Sequence, residues 1–437
     1  MRKYIQFRLD FPVGFVNKLL HWLKKKEKYV LLNTNDFYDK YGVYDFLCAY
    51  GVASEFIMPN NNVITHFKSF FYSKNDWLFG FFTYDLKNEL ENLSTSNSEH
   101  IKMPLLHFFQ PQLVFAKKND ILEIGYLPEF YSEQEINIIF ETIHQSKIQQ
   151  RIEYAPVFEK IAASVPKKDY LEIIHTIKNH IQKGDIYEMN YCVEFFSKIN
   201  KKIEVIDLYT RLNKISPAPF SCLYKLDDKS LICASPERFL KKTAQKLISQ
   251  PIKGTIKRGI NSEEDKKLIK ELAESEKDKS ENVMIVDLVR NDISHYAEKG
   301  SVKVEELFGI YSYAQVHQMI STVTCSLIKE ACVVDTIMRC FPPGSMTGAP
   351  KIKAMQIIDA MEKTKRGLYS GCVGYFTPET DFDFNVVIRS ILLNNTDGYA
   401  SLMAGGAITA LSEPEKEYEE CLIKALAMNK ALKYKEE

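Results

Sequence analysis

The sequence predicts an α+β fold, and three observations point there. Segments patterned as strands and segments patterned as helices follow one another without strict alternation, which argues against a doubly wound parallel sheet. Hydrophobic residues make up 45% of the 437-residue chain, enough to bury a large core, and the length exceeds one ordinary domain. No internal repeat and no low-complexity tract interrupts the pattern.

In chain order, residues 1 to about 160 form one region. It carries short aromatic-rich runs such as WLFGFFTYDL (77–86), broken by polar turns, and KNELENLSTSNSEHIK (87–102) reads as an exposed loop. QSKIQQRIEYAPVFEKIAASVPKK (145–168) reads as a connector, and a second region follows over 165–432. There YLEIIHTIKNHIQKG (170–184) has helical spacing and closes on Lys183-Gly184, a C-terminal signal. DIYEMNYCVEFF (185–196) alternates as a strand does, and SLICASPERFL (230–240) and LISQPIKGTIKRG (247–259) read as strands flanking turns. SEEDKKLIKELAESEKDKSENVMIVDLVRND (262–292) reads as one helical stretch, charged first and apolar later. Then come a Gly/Pro-rich loop (341–350), a helix (351–363), and strands around 370–377 and 384–393. MAGGAITAL (403–411) leads into a terminal helix, EPEKEYEECLIKALAMNKAL (413–432).

Lys+Arg and Asp+Glu both number 57, so the basic excess of a nucleic-acid binder is missing. The nine cysteines are scattered without CxxC spacing, which argues against a zinc knuckle or a redox pair. The first residues lack an apolar core and a cleavage site, and no run of about 18 apolar residues occurs. A soluble cytoplasmic protein with reduced thiols is the expectation.

Two acidic helix faces are the most informative pattern. Asp278 and Glu281 are three residues apart, hence on one face, and Glu417 and Glu420 repeat that spacing with Lys424 a turn further on. Where two such helices meet, four carboxylates converge, and a set without His or Cys suits a hard cation such as Mg²⁺. Glu- and Lys-rich faces are also the ordinary solvated face of a helix. The loop FPPGSMTGAPKIKAM (341–355) places two glycines and adjacent hydroxyls ahead of Pro350, and its backbone N–H groups can hold an anion at a helix start. It lacks the GK[ST] ending of a Walker A loop. AGGA (404–407) is a second place of close backbone approach, and for either loop alone an ordinary turn is the stronger reading. PIKGT (251–255) sets a lysine between apolar residues and a glycine. Partial burial lowers an amine's pKa and makes it nucleophilic, whereas most strand lysines snorkel to water.

Together and in order, GDIYEMN, SPAPF, ASPERFL, PIKGT, SENVMIVDLVRND, FPPGSMTGAPK, YSGCVGYF, FNVVIRS and AGGAITALSEPEKEYEE resemble the chorismate-utilising enzymes. These include the anthranilate, aminodeoxychorismate, isochorismate and salicylate synthases. The matching stretches cover roughly 170–430, and WLFGFFTYDLKNE extends the likeness toward the N-terminus. The resemblance implies one α+β unit of layered sheets and helices with the site between them. It implies Mg²⁺ held by Glu281 and Glu420, with Asp278 and Glu417 holding its waters, so that the ion binds the ring carboxylate of chorismate. It implies that Arg389 grips a substrate carboxylate, that Tyr369, Thr347, Lys424 and the Gly405-Gly406 backbone make further substrate contacts, and that Glu237 protonates the departing C4 hydroxyl.

Lys253 separates the branches. Anthranilate and isochorismate enzymes resemble one another in having alanine there, whereas PIKGT looks like the branch that aminates chorismate at C4, toward 4-aminobenzoate and folate. By that resemblance Lys253 attacks C2 and ammonia then displaces it at C4. Asn282 stands where anthranilate synthases often carry His, which favours the same branch. The water-activating lysine of the isochorismate enzymes falls at Glu188 here. The family's histidine position is Gln318, in VHQMIS; read as a helix, that segment points His317 elsewhere. LLNTND (31–36) lacks the Leu-Glu-Ser signature of tryptophan-regulated relatives. No GxCxG elbow marks a glutaminase, so ammonia is expected from solution or from a separate glutamine amidotransferase subunit. Nor is a fused lyase expected after residue 437. The rivals are an anthranilate synthase component I and a catalytically silent chorismate-binding subunit.

Overall fold

The computed structural model describes residues 1–9, 14–57, 62–146, 161–199, 202–313 and 316–433. Most of the expected 145–168 connector, residues 147–160, lies outside them. The fold is organised on one long strand, Leu106–Lys118. Its first half pairs with Leu78–Phe82, its second half with Ile121–Tyr126, and almost its whole length with Phe46–Ile57. Both faces of this strand are buried, which is why LHFFQPQLVFAKK reads as a nearly continuous apolar run. Alternate side chains serve different cores: Leu106 and Phe108 enter one, Leu113 and Phe115 a second, and Phe109, Val114 and Ala116 a third.

Two antiparallel sheets diverge from this strand. One continues through Phe46–Ile57, Lys28–Asn33, Phe220–Leu226, Lys229–Ser235, Ser390–Asn394 and Tyr399–Ile408 to Glu188–Lys198. The other continues through Leu78–Phe82, Cys372–Phe376, Phe382–Asn385, Arg238–Thr243 and Lys246–Gln250 to Val316–Ser326, which also pairs with Ile252–Lys257 and Lys303–Ser312. The third core, with Trp77, Phe79, Phe81, Tyr224 and Tyr375, fills the space between the sheets. The other two cores lie under helices. Phe15–Leu23, Lys167–Gln182, Val205–Ile215 and Pro414–Lys433 cover the first sheet, and Val63–Ser73, Glu276–Ser294 and Val333–Cys340 cover the second. The layers are therefore helix, sheet, sheet, helix, as an α+β chain requires. Among the described residues no helix is long and apolar enough to cross a membrane.

Three local expectations are corrected. The charged stretch from 262 is two helices, Ser262–Glu274 and Glu276–Ser294, broken at Ser275. The Ser275 hydroxyl accepts from the Asp278 amide at 3.3 Å, so a capping residue opens a new helix where the pattern alone runs on. The strand expected over 384–393 is two strands, with Arg389 at φ 51° in the break. VHQMIS lies in the strand Val316–Ser326, not in a helix: its continuation STVTCS is rich in β-branched residues, which suit a pleated sheet.

Candidate active site

A cavity of about 130 Å³ opens where the far ends of the two sheets meet the helices Glu276–Ser294 and Pro414–Lys433. Its wall includes Glu237, Lys253, Asp278, Glu281, Tyr369, Arg389, Gly405, Glu420 and Lys424. Nine of the twelve residues singled out from the sequence thus share one cavity, though they span almost 190 positions from Glu237 to Lys424. Gly406 lies beside it, where an added Cβ would stand 3.3 Å from Glu417 Oε2 and 3.5 Å from Glu420 Oε1. Glu417 is buried just behind the wall. Thr347 is buried elsewhere, its hydroxyl donating to the Gly344 carbonyl at 3.1 Å and its own carbonyl accepting from the Asn190 amide at 2.7 Å.

Lys253 is aimed by a bulge. The pairing of Ile252–Lys257 with Val316–Ser326 shifts register between Ile252 and Thr255, and Gly254 there has φ 93°. A Cβ at Gly254 would press within 3.0 Å of Asp278 Cβ, so glycine lets the strand lie against the acidic helix. The Lys253 ammonium donates to Glu188 Oε1 at 2.7 Å, and both side chains are buried. Burial alone pushes its pKa down, but the carboxylates of Glu188, Glu281 and Glu237 outweigh that and hold it above the ordinary lysine value. The expectation that burial lowers this amine's pKa is therefore corrected.

Glu237 follows the strand Lys229–Ser235 and is fixed at its backbone, its amide donating to Ser235 Oγ at 3.2 Å and its carbonyl accepting from the Val386 amide at 3.0 Å. Its Oε1 accepts from Ser345 Oγ at 2.5 Å. Burial pushes its pKa up to about 7, which the Ser345 hydroxyl and Lys253 only partly offset. A carboxyl poised there can give a proton near neutrality.

The acidic pairs face each other across the two helices. Glu281 is pushed up to about 7, chiefly by burial, and its Oε1 is a buried oxygen without a hydrogen-bond partner. Glu420 is held below the usual carboxylate value by Lys424, whose ammonium lies 2.5 Å away. Lys277 reaches between them, 3.3 Å from Glu417 Oε1 and 3.8 Å from Glu281 Oε1. With these lysines in place, no group of three or more His, Cys, Asp or Glu among the described residues stands as a ready-made metal cage. The donor set nevertheless fits a hard cation. An orphaned carboxylate oxygen of Glu281 and three more acidic side chains of the two helices stand at or just behind one wall, and displacing the Lys277 ammonium frees Glu281 and Glu417, while Glu420 keeps its pair with Lys424.

Opposite the acids, the Arg389 guanidinium makes no hydrogen bond or ion pair among the described residues, and its pKa is lowered by burial. A guanidinium so placed can accept an anion. Gly405 is glycine because a Cβ would strike the Tyr191 carbonyl at 2.0 Å; its own carbonyl accepts from Lys424 Nζ at 3.0 Å. The Gly405-Gly406 pair lies inside the strand Tyr399–Ile408 rather than in a turn.

Sequence reasoning gives no role to Asn190, Lys277 or Ser345, yet all three line the cavity. Lys277 was open to detection, four residues ahead of Glu281 on one helix face. Gln318 projects into the cavity with its buried Oε1 unpartnered. His317, its neighbour on the strand, points to the other face, where Nδ1 meets Ser312 Oγ at 2.7 Å and Nε2 meets Asp265 Oδ1 at 2.9 Å. Asn282 lies behind the wall, accepting from Ser321 Oγ at 2.6 Å.

Comparisons with known proteins address the family and the fold. A family model described as chorismate binding enzyme matches residues 53–430. The chain is 42% identical over 269 residues to a probable chloroplastic aminodeoxychorismate synthase of Oryza sativa subsp. japonica, covering 61% of this chain and 30% of that protein. It is 31% identical over 366 residues to aminodeoxychorismate synthase component 1 of Bacillus subtilis, covering 82% and 77%. It is 33% identical over 380 residues to anthranilate synthase component 1 of Bacillus pumilus, covering 82% and 73%. The chain spans about a third of the length of the plant and Streptomyces relatives it matches. Among solved structures, anthranilate synthase component I of Streptococcus pneumoniae superposes with a TM-score of 0.77 at 24% identity, covering 92% of both chains, which shows the shared fold.

Proposed function

The chain belongs to the family of chorismate binding enzymes, and on that premise we propose that it aminates chorismate at C4 with ammonia, giving 4-amino-4-deoxychorismate for 4-aminobenzoate and folate synthesis. One observation carries the reading: a lysine amine, Lys253, and a carboxyl tuned to about 7, Glu237, open onto the same cavity. Chorismate is a dicarboxylate, and Arg389, with Lys424 beside the Gly405 carbonyl, supplies positive charge to bind and orient it. The Lys253 amine forms a bond to C2 while the ring double bonds shift and the C4–O bond breaks; Glu237 gives its proton to the oxygen, which leaves as water. Ammonia then bonds to C4, the double bonds shift back, and the C2–N bond breaks to release Lys253. Two displacements put nitrogen where the hydroxyl was.

Mg²⁺ is proposed as the cofactor, held by Glu281 and Glu420 with Asp278 and Glu417 around its waters. When bound it would hold the ring carboxylate and draw electron density from the ring. Lys277 guards the carboxylates until then, its ammonium offsetting their mutual repulsion. A separate glutamine amidotransferase subunit is proposed as the source of ammonia, in line with the similarity to a protein named component 1.

The test is a mass-spectrometric product assay of the whole chain with chorismate, Mg²⁺ and an ammonium salt, repeated with Lys253→Ala. Aminodeoxychorismate with its enolpyruvyl group intact, lost or redirected to another ring position in the variant, supports the reading. Anthranilate and pyruvate would assign the chain to the tryptophan branch, and full C4 amination by Lys253→Ala would remove the covalent step.

A further inference from the structure

The site poses a chemical problem: the proposed nucleophile is an ammonium, and an ammonium has no lone pair with which to attack. Lys253 is faced by carboxylates from four elements: Glu188 of Glu188–Lys198, Glu237 ahead of Arg238–Thr243, Glu281 of Glu276–Ser294 and Glu420 of Pro414–Lys433. Asp278, Lys277, Arg389 and Lys424 complete the charged wall. Of the carboxylates only Glu188 forms an ion pair with the lysine, at 2.7 Å, and it is 1% exposed. Its second oxygen, Oε2, is buried with no hydrogen-bond partner, so this carboxylate is poorly satisfied as an anion.

Resting on the proposed covalent role of Lys253, we infer that Glu188 is the positioning residue that takes the proton from the Lys253 ammonium and so releases the attacking amine. The proton moves from Nζ to Glu188 Oε1 along the existing hydrogen bond, leaving a neutral amine and a neutral carboxyl. Attack on C2 then makes a secondary ammonium while Glu237 protonates the departing oxygen. When ammonia bonds to C4 and the double bonds shift back, the C2–N bond breaks with its electron pair staying on Nζ as a neutral amine, and Glu188 returns the proton it held. No other proton donor or acceptor is needed to reset the pair. Burial of both partners makes the transfer the easier way to lose charge, since two opposite charges out of water become none.

This predicts a particular pH signature. Internal transfer moves a proton between two groups of the same protein, so the fraction of active amine does not change with pH while the pair holds one proton. In Glu188→Gln the amide keeps size and hydrogen bonding but takes no proton, so the lysine must lose its proton to solvent.

The experiment is the pH dependence of kcat/KM for chorismate in the wild type, Glu188→Gln and Glu188→Asp, at saturating Mg²⁺ and ammonium. The ratio of Glu188→Gln to wild type, in which the titrations of Glu237 and Glu281 cancel, should rise about tenfold per pH unit until the amine is free. The Glu188→Asp ratio should be reduced but flat. A Glu188→Gln ratio that is flat, whether near one or near zero, overturns the proposal, and so does a sloping Glu188→Asp ratio, which remains decisive should the amide variant fold poorly. Lys253→Ala, run in parallel, separates the two levels. Full C4 amination by it removes the covalent reading itself, whereas its loss combined with a flat Glu188→Gln ratio removes only the role of Glu188.

Discussion

Glu237 shows how surroundings set the proton affinity of a single residue. A glutamate in water is ionised at neutral pH and can protonate nothing; burial beneath Ser345 lifts this one to about 7. In the role proposed for it the acid form is the working form, which predominates below that value and is lost as pH rises through it. With Mg²⁺ saturating, kcat should therefore fall on the alkaline side of about pH 7. Glu237→Gln should lose that limb and turn over about 10²–10⁴-fold more slowly while still binding chorismate. Stopped-flow turnover and chorismate titration across pH check both halves, and an unchanged rate would remove the acid role. The identity of this residue was legible in ASPERFL, but its partner Ser345 was not, because 108 positions separate them and only the fold brings them within 2.5 Å.

At the scale of the element, the two acidic helices were readable because carboxylates three apart must share a face. That they converge was an inference from resemblance, and the structure brings three of the four onto one cavity wall with Glu417 just behind it. The break at Ser275 was missed because helical periodicity runs through it; what opens the second helix there is a local hydroxyl cap, a short-range effect that pattern averages over. VHQMIS was misread for the complementary reason, since a short run of this kind fits either period and only its two sheet neighbours, Ile252–Lys257 and Lys303–Ser312, settle it. Lys277 and Glu281 sit a turn apart on the second helix, so the lysine competes with any cation for the same oxygens. Glu281→Gln should raise the Mg²⁺ concentration needed for half-maximal activity by about tenfold or more, since even indirect partners of a metal cost that much. An unchanged Mg²⁺ titration would contradict the assignment.

For the whole molecule, the pairing of N-terminal with later strands matters most, and the sequence did not disclose it. Aromatic runs such as WLFGFF marked buried strands, yet nothing in their spacing says that Leu78–Phe82 lies beside Cys372–Phe376. Arg238 makes the same connection with charge. Fully buried one position after Glu237, it pairs with Asp383 at 2.9 Å and with Asp39 from the N-terminal region, and lies 4.7 Å from the Phe220 ring centre. Arg238→Met would leave Asp39 without its cation and Asp383 with Lys241 alone, and equilibrium denaturation should show a loss of about 3–5 kcal/mol. A loss under about 1 kcal/mol would mean that the acids are hydrated without their partner. The strand Leu106–Lys118 has the corresponding mechanical meaning. It is the spine of an open book whose covers are the two sheets, and Glu188 and Lys253 sit on opposite covers at the fore-edge. Their ion pair is then a clasp as well as a proton relay. When the proton crosses and the amine turns to the ring, the clasp loses its charge, and the substrate becomes the object held between the pages.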